Sequence, residues 1–271
     1  MKLIALDVDG TLLNSNHEIS QKTRRAIIKS LEEGHKVVIV SGRPTKAINH
    51  IAKELSLDKY GGLISAFNGG TIINYETGHE LTNHTLDLDL AKEIIKESRK
   101  LDIDVLIPKN KTMISYRDNK YLDLEKEILG FETEVRENII ENIDFNPNKL
   151  LLASDKKTLD ELIPVLEKKY GKKTSLVHSQ DFYYEVMPKG LSKGKSLLEI
   201  AEYYNMEQKD IIAFGDQMND KTMIEIAGVG IAMANAIEAI KEIADYITLS
   251  NDEDGVANYL EKFVLKGTYN E

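Results

Sequence analysis

The first part of the chain alternates short, predominantly apolar runs with helical stripes of apolar residues. Leu3-Ile4-Ala5-Leu6 stops at Asp7, Lys36-Val37-Val38-Ile39-Val40 stops at Ser41-Gly42-Arg43-Pro44, and Leu63-Ile64-Ser65-Ala66 stops before Asn68-Gly69-Gly70. Runs of this kind, predominantly apolar, predict strands buried on both faces, as in a parallel sheet. Between them, Ser20 is a suitable N-cap for a helix carrying Ala26, Ile27 and Leu31, with Gly34 as its stop. Pro44 suits the first turn of a second helix whose buried stripe is Ala47, Ile48, Ile51, Ala52 and Leu55. Thr71 to Asn74 followed by Glu76-Thr77-Gly78 predicts a hairpin. Strand and helix in strict alternation at this spacing predict a doubly wound, mostly parallel α/β sheet.

The pattern changes near Asn83. A long helix (Leu86, Leu90, Ile94, Ile95, Leu101) precedes strand-like runs at Asp104–Ile107 and Thr112–Tyr116, and a mixed stretch reaches Pro147. Lys149–Ala153, a helix from about Leu159, and paired strands at Ser175–His178 and Tyr183–Met187 follow. That texture is α+β rather than further winding. Parallel order returns with a helix at Gly194–Tyr204, the strand Ile211–Phe214 ending at Gly215-Asp216, a helix near Asn219, and apolar runs at Gly228–Met233 and Ala244–Thr248. The chain therefore divides into a split core, residues 1–82 and 188–271, and an inserted α+β domain, residues 83–187, of an ordinary domain size.

Composition narrows the function classes. The 271 residues carry a formal charge of −10, which disfavours nucleic acid and anionic membrane as partners. There is no cysteine, so disulfides and thiolate metal sites are excluded and a cytoplasmic location is expected. The apolar run at the N-terminus is too short for a signal peptide, and no stretch is long enough for a membrane span.

The candidate chemistry sits where apolar runs end. Asp7, Ser41 and Asp216 each close a strand, and a parallel sheet gathers its carboxyl ends on one edge, where ligands bind. Asp9 lies two places after Asp7, so continued strand alternation would put both side chains on one side. Asp220 lies one helical turn beyond Asp216. Singly, each acid is an ordinary cap or solvated turn; together at one sheet edge they cannot all stay ionised without a cation. An all-oxygen donor set with few ligands suits Mg²⁺, and Lys193, near a helix start, is a candidate second cation for a phosphate ligand.

Two motif matches fail. Gly190-Leu191-Ser192-Lys193-Gly194 fits the nucleophile elbow, but none of the six histidines follows Ser192, so the triad order cannot be built. The same segment is too short between its glycines for a P-loop.

Four separated segments carry a resemblance: Asp7-Val8-Asp9-Gly10-Thr11, Val40-Ser41-Gly42-Arg43, Lys189 to Gly194, and Gly215-Asp216-Gln217-Met218-Asn219-Asp220. Asn68-Gly69-Gly70 and Ala227 to Ala236 add to it. In this order they resemble the haloacid dehalogenase superfamily, specifically Cof-type phosphatases with a large α/β cap. The resemblance implies a Rossmann-like core with an inserted cap, and Mg²⁺-dependent hydrolysis of a small phosphorylated metabolite through an aspartyl-phosphate. It implies Asp7 as nucleophile and Asp9 as general acid and base. The metal would be held by Asp7, Asp216 and the backbone carbonyl of Asp9. Ser41 and Lys193, with backbone amides of Val8 and Gly42, would bind the phosphoryl oxygens, joined by Asn219. Asp220 would orient Lys193 or a metal-bound water, and the insert would close over the site and choose the leaving group. A phosphomutase or phosphotransferase of the same superfamily, or a non-catalytic metabolite sensor, would keep the same fold. Asp9 points to phosphomonoester hydrolysis, and the intact acids with Lys193 weigh against the sensor; the phosphomutase or phosphotransferase carries the same motifs, and product analysis with a bisphosphorylated sugar would separate it.

Overall fold

The structure, a computed structural model, describes residues 1–266. Contacts divide it into two compact units, one of Met1–Thr82 with the chain from Ser192 onward, the other of Asn83–Leu191. The second boundary lies past residue 188 because Lys189 and Gly190 bond back into the insert. Lys189 Nζ donates to the Gly171 carbonyl (2.6 Å) and the Gly190 amide to Ser175 Oγ (2.9 Å).

The split unit is built on β1 (Leu3–Leu6), β2 (Lys36–Val40), β3 (Leu63–Ala66), β4 (Thr71–Asn74) and β5 (Glu80–Asn83) from its first segment. All four residues of β1 are fully buried. The six-stranded parallel part is completed by three strands of the second segment, introduced below; β4 pairs antiparallel with β3, and β5 lies on its other side beyond Glu76-Thr77-Gly78, where the sequence predicts the hairpin turn. Successive residues point to opposite faces and both faces are covered. Ile4, Leu6, Val37, Ile39 and Ile64 join one apolar cluster with the helices Gln21–Glu32, Thr45–Glu54 and Gly255–Phe263. Leu3, Ala5, Val38, Val40 and Leu63 join another with the helices Lys193–Tyr203 and Lys221–Ile226. Each buried Leu or Ile stabilises by about 1.5–3 kcal/mol, so alternation within predominantly apolar runs builds two cores from one sheet. Ser20 caps its helix by accepting the Thr23 amide (3.0 Å), and Pro44 stands as N-cap of the next, one place before its first turn.

The insert holds a six-stranded sheet of its own: β6 (Asp104–Lys109), β7 (Thr112–Ser115), β8 (Glu132–Val135), β9 (Leu150–Ala153), β10 (Thr174–Gln180) and β11 (Tyr183–Pro188), ordered β10-β11-β9-β6-β7-β8. Only β7 and β8 pair in parallel. Helices Leu88–Lys100 and Lys156–Tyr170 pack with Val105, Ile107, Leu150, Leu152 and Val186; helix Lys120–Leu129 packs with Leu106, Met113, Leu151 and Tyr183. The mixed stretch before Pro147 thus contains two helices, Lys120–Leu129 and the short Ile139–Asn142, with the edge strand β8 between them.

The chain then adds β12 (Ile211–Gly215), β13 (Val229–Ala232) and β14 (Tyr246–Ile247), giving the order β14-β13-β12-β1-β2-β3-β4-β5. The doubly wound core with an α+β insert is the architecture expected from the sequence. Strand β1 lies centrally, between β12 and β2 in parallel register, so the ends of three strands meet around Asp7. Among the described residues, no helix is long and apolar enough to cross a membrane.

Candidate active site

Asp7 follows β1 directly and extends its ladder, its amide donating to the Phe214 carbonyl (3.1 Å). The chain then turns at once. Leu12 and Leu13 amides bond back to the Val8 carbonyl (3.1 and 3.0 Å), and Gly10 takes φ +77°. Strand alternation therefore ends at Leu6, and the two early acids part company. Asp7 is buried at 6% exposure, whereas the Asp9 side chain is 53% exposed and turns to Arg43. The expectation that both carboxylates share one side is corrected by this turn. Arg43 Nε and Nη2 donate to Asp9 Oδ2 and Oδ1 at 2.9 and 2.6 Å, a bidentate pair.

Asp216 arrives from the end of β12, and Asp220 from the short turn after it. Asp220 Oδ2 accepts the amides of Asp216 and Gln217, both at 2.9 Å, which draws its side chain back under the strand end. That return needs Gly215, where a Cβ would sit 2.5 Å from Asp220 Cβ. Gly10 gives room in the same way, since a Cβ there would lie 2.4 Å from Asp216 Oδ2. Asp216 also accepts from Thr11 Oγ1 (2.9 Å) and Gln217 Nε2 (3.3 Å).

Lys193 opens the helix whose N-cap Ser192 accepts the Lys195 amide, the role left to that serine once the elbow motif is rejected. Its side chain is fully buried, and Nζ donates to Asp7 Oδ1 (2.5 Å) and Asp220 Oδ1 (2.6 Å). One carboxylate oxygen from each of Asp7, Asp216 and Asp220 lies within 4.8 Å of the others, all three residues being buried. Asp220 is tied down by Lys193 on one oxygen and by two backbone amides on the other, which makes it a fixed support for the lysine.

The charges do not balance locally. Burial, then the charge of Asp220, pushes the Asp7 carboxyl well above its ordinary value, against the pull of Lys193. Burial and Asp220 likewise push Asp216 up to about 6. Burial alone would lower Lys193, but Asp220 and Asp7 outweigh it and hold the ammonium charged. Three buried acids around one lysine leave a deficit of positive charge that a hard dication with oxygen ligands fits.

The remaining predicted residues lie on neighbouring loops. Ser41, 1% exposed, continues β2; its amide donates to the Ser65 carbonyl (2.9 Å) and its Oγ accepts the Arg43 amide (3.1 Å). Gly42 follows it, and Val8 packs into the apolar cluster. Asn219 is exposed and its Nδ2 donates to Asn68 Oδ1 (3.5 Å). The structure thus joins Asp7, Lys193, Asp216 and Asp220 directly, while Asp9 contacts Arg43 rather than the other acids. Sequence reasoning quoted Arg43, Thr11 and Asn68 without giving them a role. Their signal was position, each standing within a few residues of a strand end.

A family model described as haloacid dehalogenase-like hydrolase matches residues 4–260. The 5-amino-6-(5-phospho-D-ribitylamino)uracil phosphatase YwtE of Bacillus subtilis is 33% identical, covering 99% of this chain and 100% of its own. The crystal structure of a haloacid dehalogenase-like hydrolase from Bacteroides thetaiotaomicron is similar at 34% identity and TM-score 0.91, covering 96% of this chain and 98% of that one. TM0651 from Thermotoga maritima is similar at 32% identity and TM-score 0.86, covering 97% of each chain.

Proposed function

This chain belongs to the haloacid dehalogenase-like hydrolases, and within that family we propose that it hydrolyses small-molecule phosphomonoesters through an aspartyl-phosphate on Asp7. The observation that carries the reading is the buried contact of Lys193 with Asp7 and Asp220 beside Asp216, which sets a nucleophile next to a fixed cation. In the first step an Asp7 carboxylate oxygen forms a bond to phosphorus as the ester P–O bond breaks. Asp9 gives its proton to the departing alkoxide. In the second step Asp9 takes a proton from water, which attacks the same phosphorus and releases inorganic phosphate and free Asp7.

Lys193 and Ser41 bind the phosphoryl oxygens, with the amides of Val8 and Gly42 and the carboxamide of Asn219. Asp220 keeps Lys193 in place. Mg²⁺ would be held by Asp7, Asp216 and the Asp9 backbone carbonyl, and when bound it offsets the repulsion between acids and phosphate. For Asp9 to carry a proton, one of its oxygens has to come free of Arg43, which bonds to both. The unit 83–191 would select the alcohol. The printed activity of the Bacillus relative, on a phosphorylated ribityl chain, makes phosphate esters of sugars and sugar alcohols the first class to try.

The test is phosphate release over a broad panel of phosphorylated metabolites with Mg²⁺, wild type beside Asp7→Asn. Turnover by the wild type alone supports the reading. Equal turnover by both proteins rejects the covalent route, and none by the wild type rejects hydrolysis.

A further inference from the structure

Strand β3 ends in a turn that the mechanism above does not use. Phe67, Asn68 and Gly69 succeed one another at φ +53°, +55° and +96°, so two non-glycine residues stand side by side in the left-handed region. Such a backbone persists only where its surroundings hold it. Two bonds fix it to the loop after β2: the Phe67 amide donates to the Arg43 carbonyl (3.1 Å) and the Asn68 amide to the Ser41 carbonyl (2.9 Å). On its other side Gly69 presses on the start of the Lys193 helix, where a Cβ would lie 2.7 Å from the Ser192 carbonyl oxygen. Two residues before Phe67, Ser65 Oγ donates to Ser196 Oγ (2.8 Å), which donates to the Lys193 carbonyl (2.8 Å).

The Asn68 side chain sits where these segments meet. It is 5% exposed, and a Cβ on Gly42 would stand 3.2 Å from its Oδ1 and 3.3 Å from its Nδ2. Its Oδ1 accepts from Asn219 Nδ2. Gly42 and Asn219 come from loops far apart in sequence, and the Asn68 carboxamide is wedged between them. We infer that Asn68 is a positioning residue of the phosphoryl site, holding the Gly42 amide and the Asn219 carboxamide where phosphate oxygens bind. The inference rests on the reading of that site given above.

A purely backbone role makes a clear contrary prediction. Glycine adopts the left-handed region more readily than asparagine, so Asn68→Gly would be harmless if only the turn mattered. If the carboxamide positions its neighbours, Asn68→Gly keeps its melting temperature but binds inorganic phosphate at least tenfold more weakly by calorimetry with Mg²⁺. Its kcat/KM for a phosphomonoester falls by a similar factor. In an Asn219→Ala background the same substitution costs at least threefold less, because one of the groups it positions is gone.

Unchanged phosphate affinity in folded Asn68→Gly overturns the inference, as do losses that multiply independently with those of Asn219→Ala. Wild-type protein that fails to bind phosphate overturns it as well. Wild-type protein that binds phosphate but hydrolyses no ester counts against the hydrolytic reading alone, and the binding comparison still decides the role of Asn68.

Discussion

Among the described residues, Lys193 is the one cation in contact with the buried acids of the site, which makes Lys193→Met the sharpest perturbation of its electrostatics. Methionine keeps much of the volume and removes the charge, leaving Asp7 and Asp220 without the donor they share at 2.5 and 2.6 Å. Removing one partner of a fully buried ion pair costs about 3–5 kcal/mol, and here one removal strands two acids. A domain stable by about 5–15 kcal/mol still folds after such a loss. In urea, with a slope of about 2 kcal/mol/M, the midpoint in EDTA should fall by roughly 2 M. Mg²⁺ at one hundred times its dissociation constant should raise the stability of the variant by about 3 kcal/mol over its value in EDTA. The assay is paired urea unfolding of wild type and Lys193→Met, in EDTA and in Mg²⁺. A variant in EDTA with the wild-type midpoint would refute the reasoning, because the acids would then be shown not to depend on the lysine.

Three further outcomes follow from the same geometry. Gly10→Ala forces a Cβ to within 2.4 Å of Asp216 Oδ2 at a φ of +77°, so calorimetry should show Mg²⁺ affinity falling about tenfold or more; wild-type affinity would contradict the placement of Asp216 as ligand. The Asp216 carboxyl is raised from 3.8 to about 6, so its contribution to metal-free stability is present below 3.8 and lost as pH rises through about 6. Mg²⁺ competes with that proton, and the stabilisation by Mg²⁺ in a melting assay should shrink from about pH 8 to about pH 5; equal stabilisation at both would contradict it. Arg43→Ala releases both Asp9 oxygens for proton transfer and should raise the rate on esters of poorly leaving alcohols about threefold relative to p-nitrophenyl phosphate; an unchanged ratio would place Arg43 outside proton transfer.

The core was legible because its strands are buried on both faces. Runs such as Val37-Val38-Ile39-Val40 carry no polar interruption, and the acid or short polar segment that follows marks the sheet edge. Asp7, Ser41 and Asp216 could be assembled from those endings, with Asp220 a turn beyond Asp216 and Lys193 at a helix start. The insert was less legible where its sheet meets solvent. Strand β8 reads Glu132-Thr133-Glu134-Val135, an edge strand with Val135 exposed, so no apolar pattern announces it. The helix Gly255–Phe263 went unread although Val256, Ala257 and Leu260 are buried, because its stripe is short and begins at a glycine. At the site, the parting of Asp7 and Asp9 depends on a turn made by Gly10, which strand periodicity cannot foresee. The role argued for Asn68 depends on contacts between loops more than a hundred residues apart, as between Asn68 and Asn219.

The central claim is that Asp7 becomes phosphorylated. Rapid mixing of wild type with a radiolabelled substrate phosphomonoester and Mg²⁺, followed by an acid quench, measures label bound to protein within one turnover. The account predicts label on a peptide containing Asp7, appearing before free phosphate, and no label in Asp7→Asn. Full phosphate release with no label on the protein at any time, and the same release by Asp7→Asn, would contradict it.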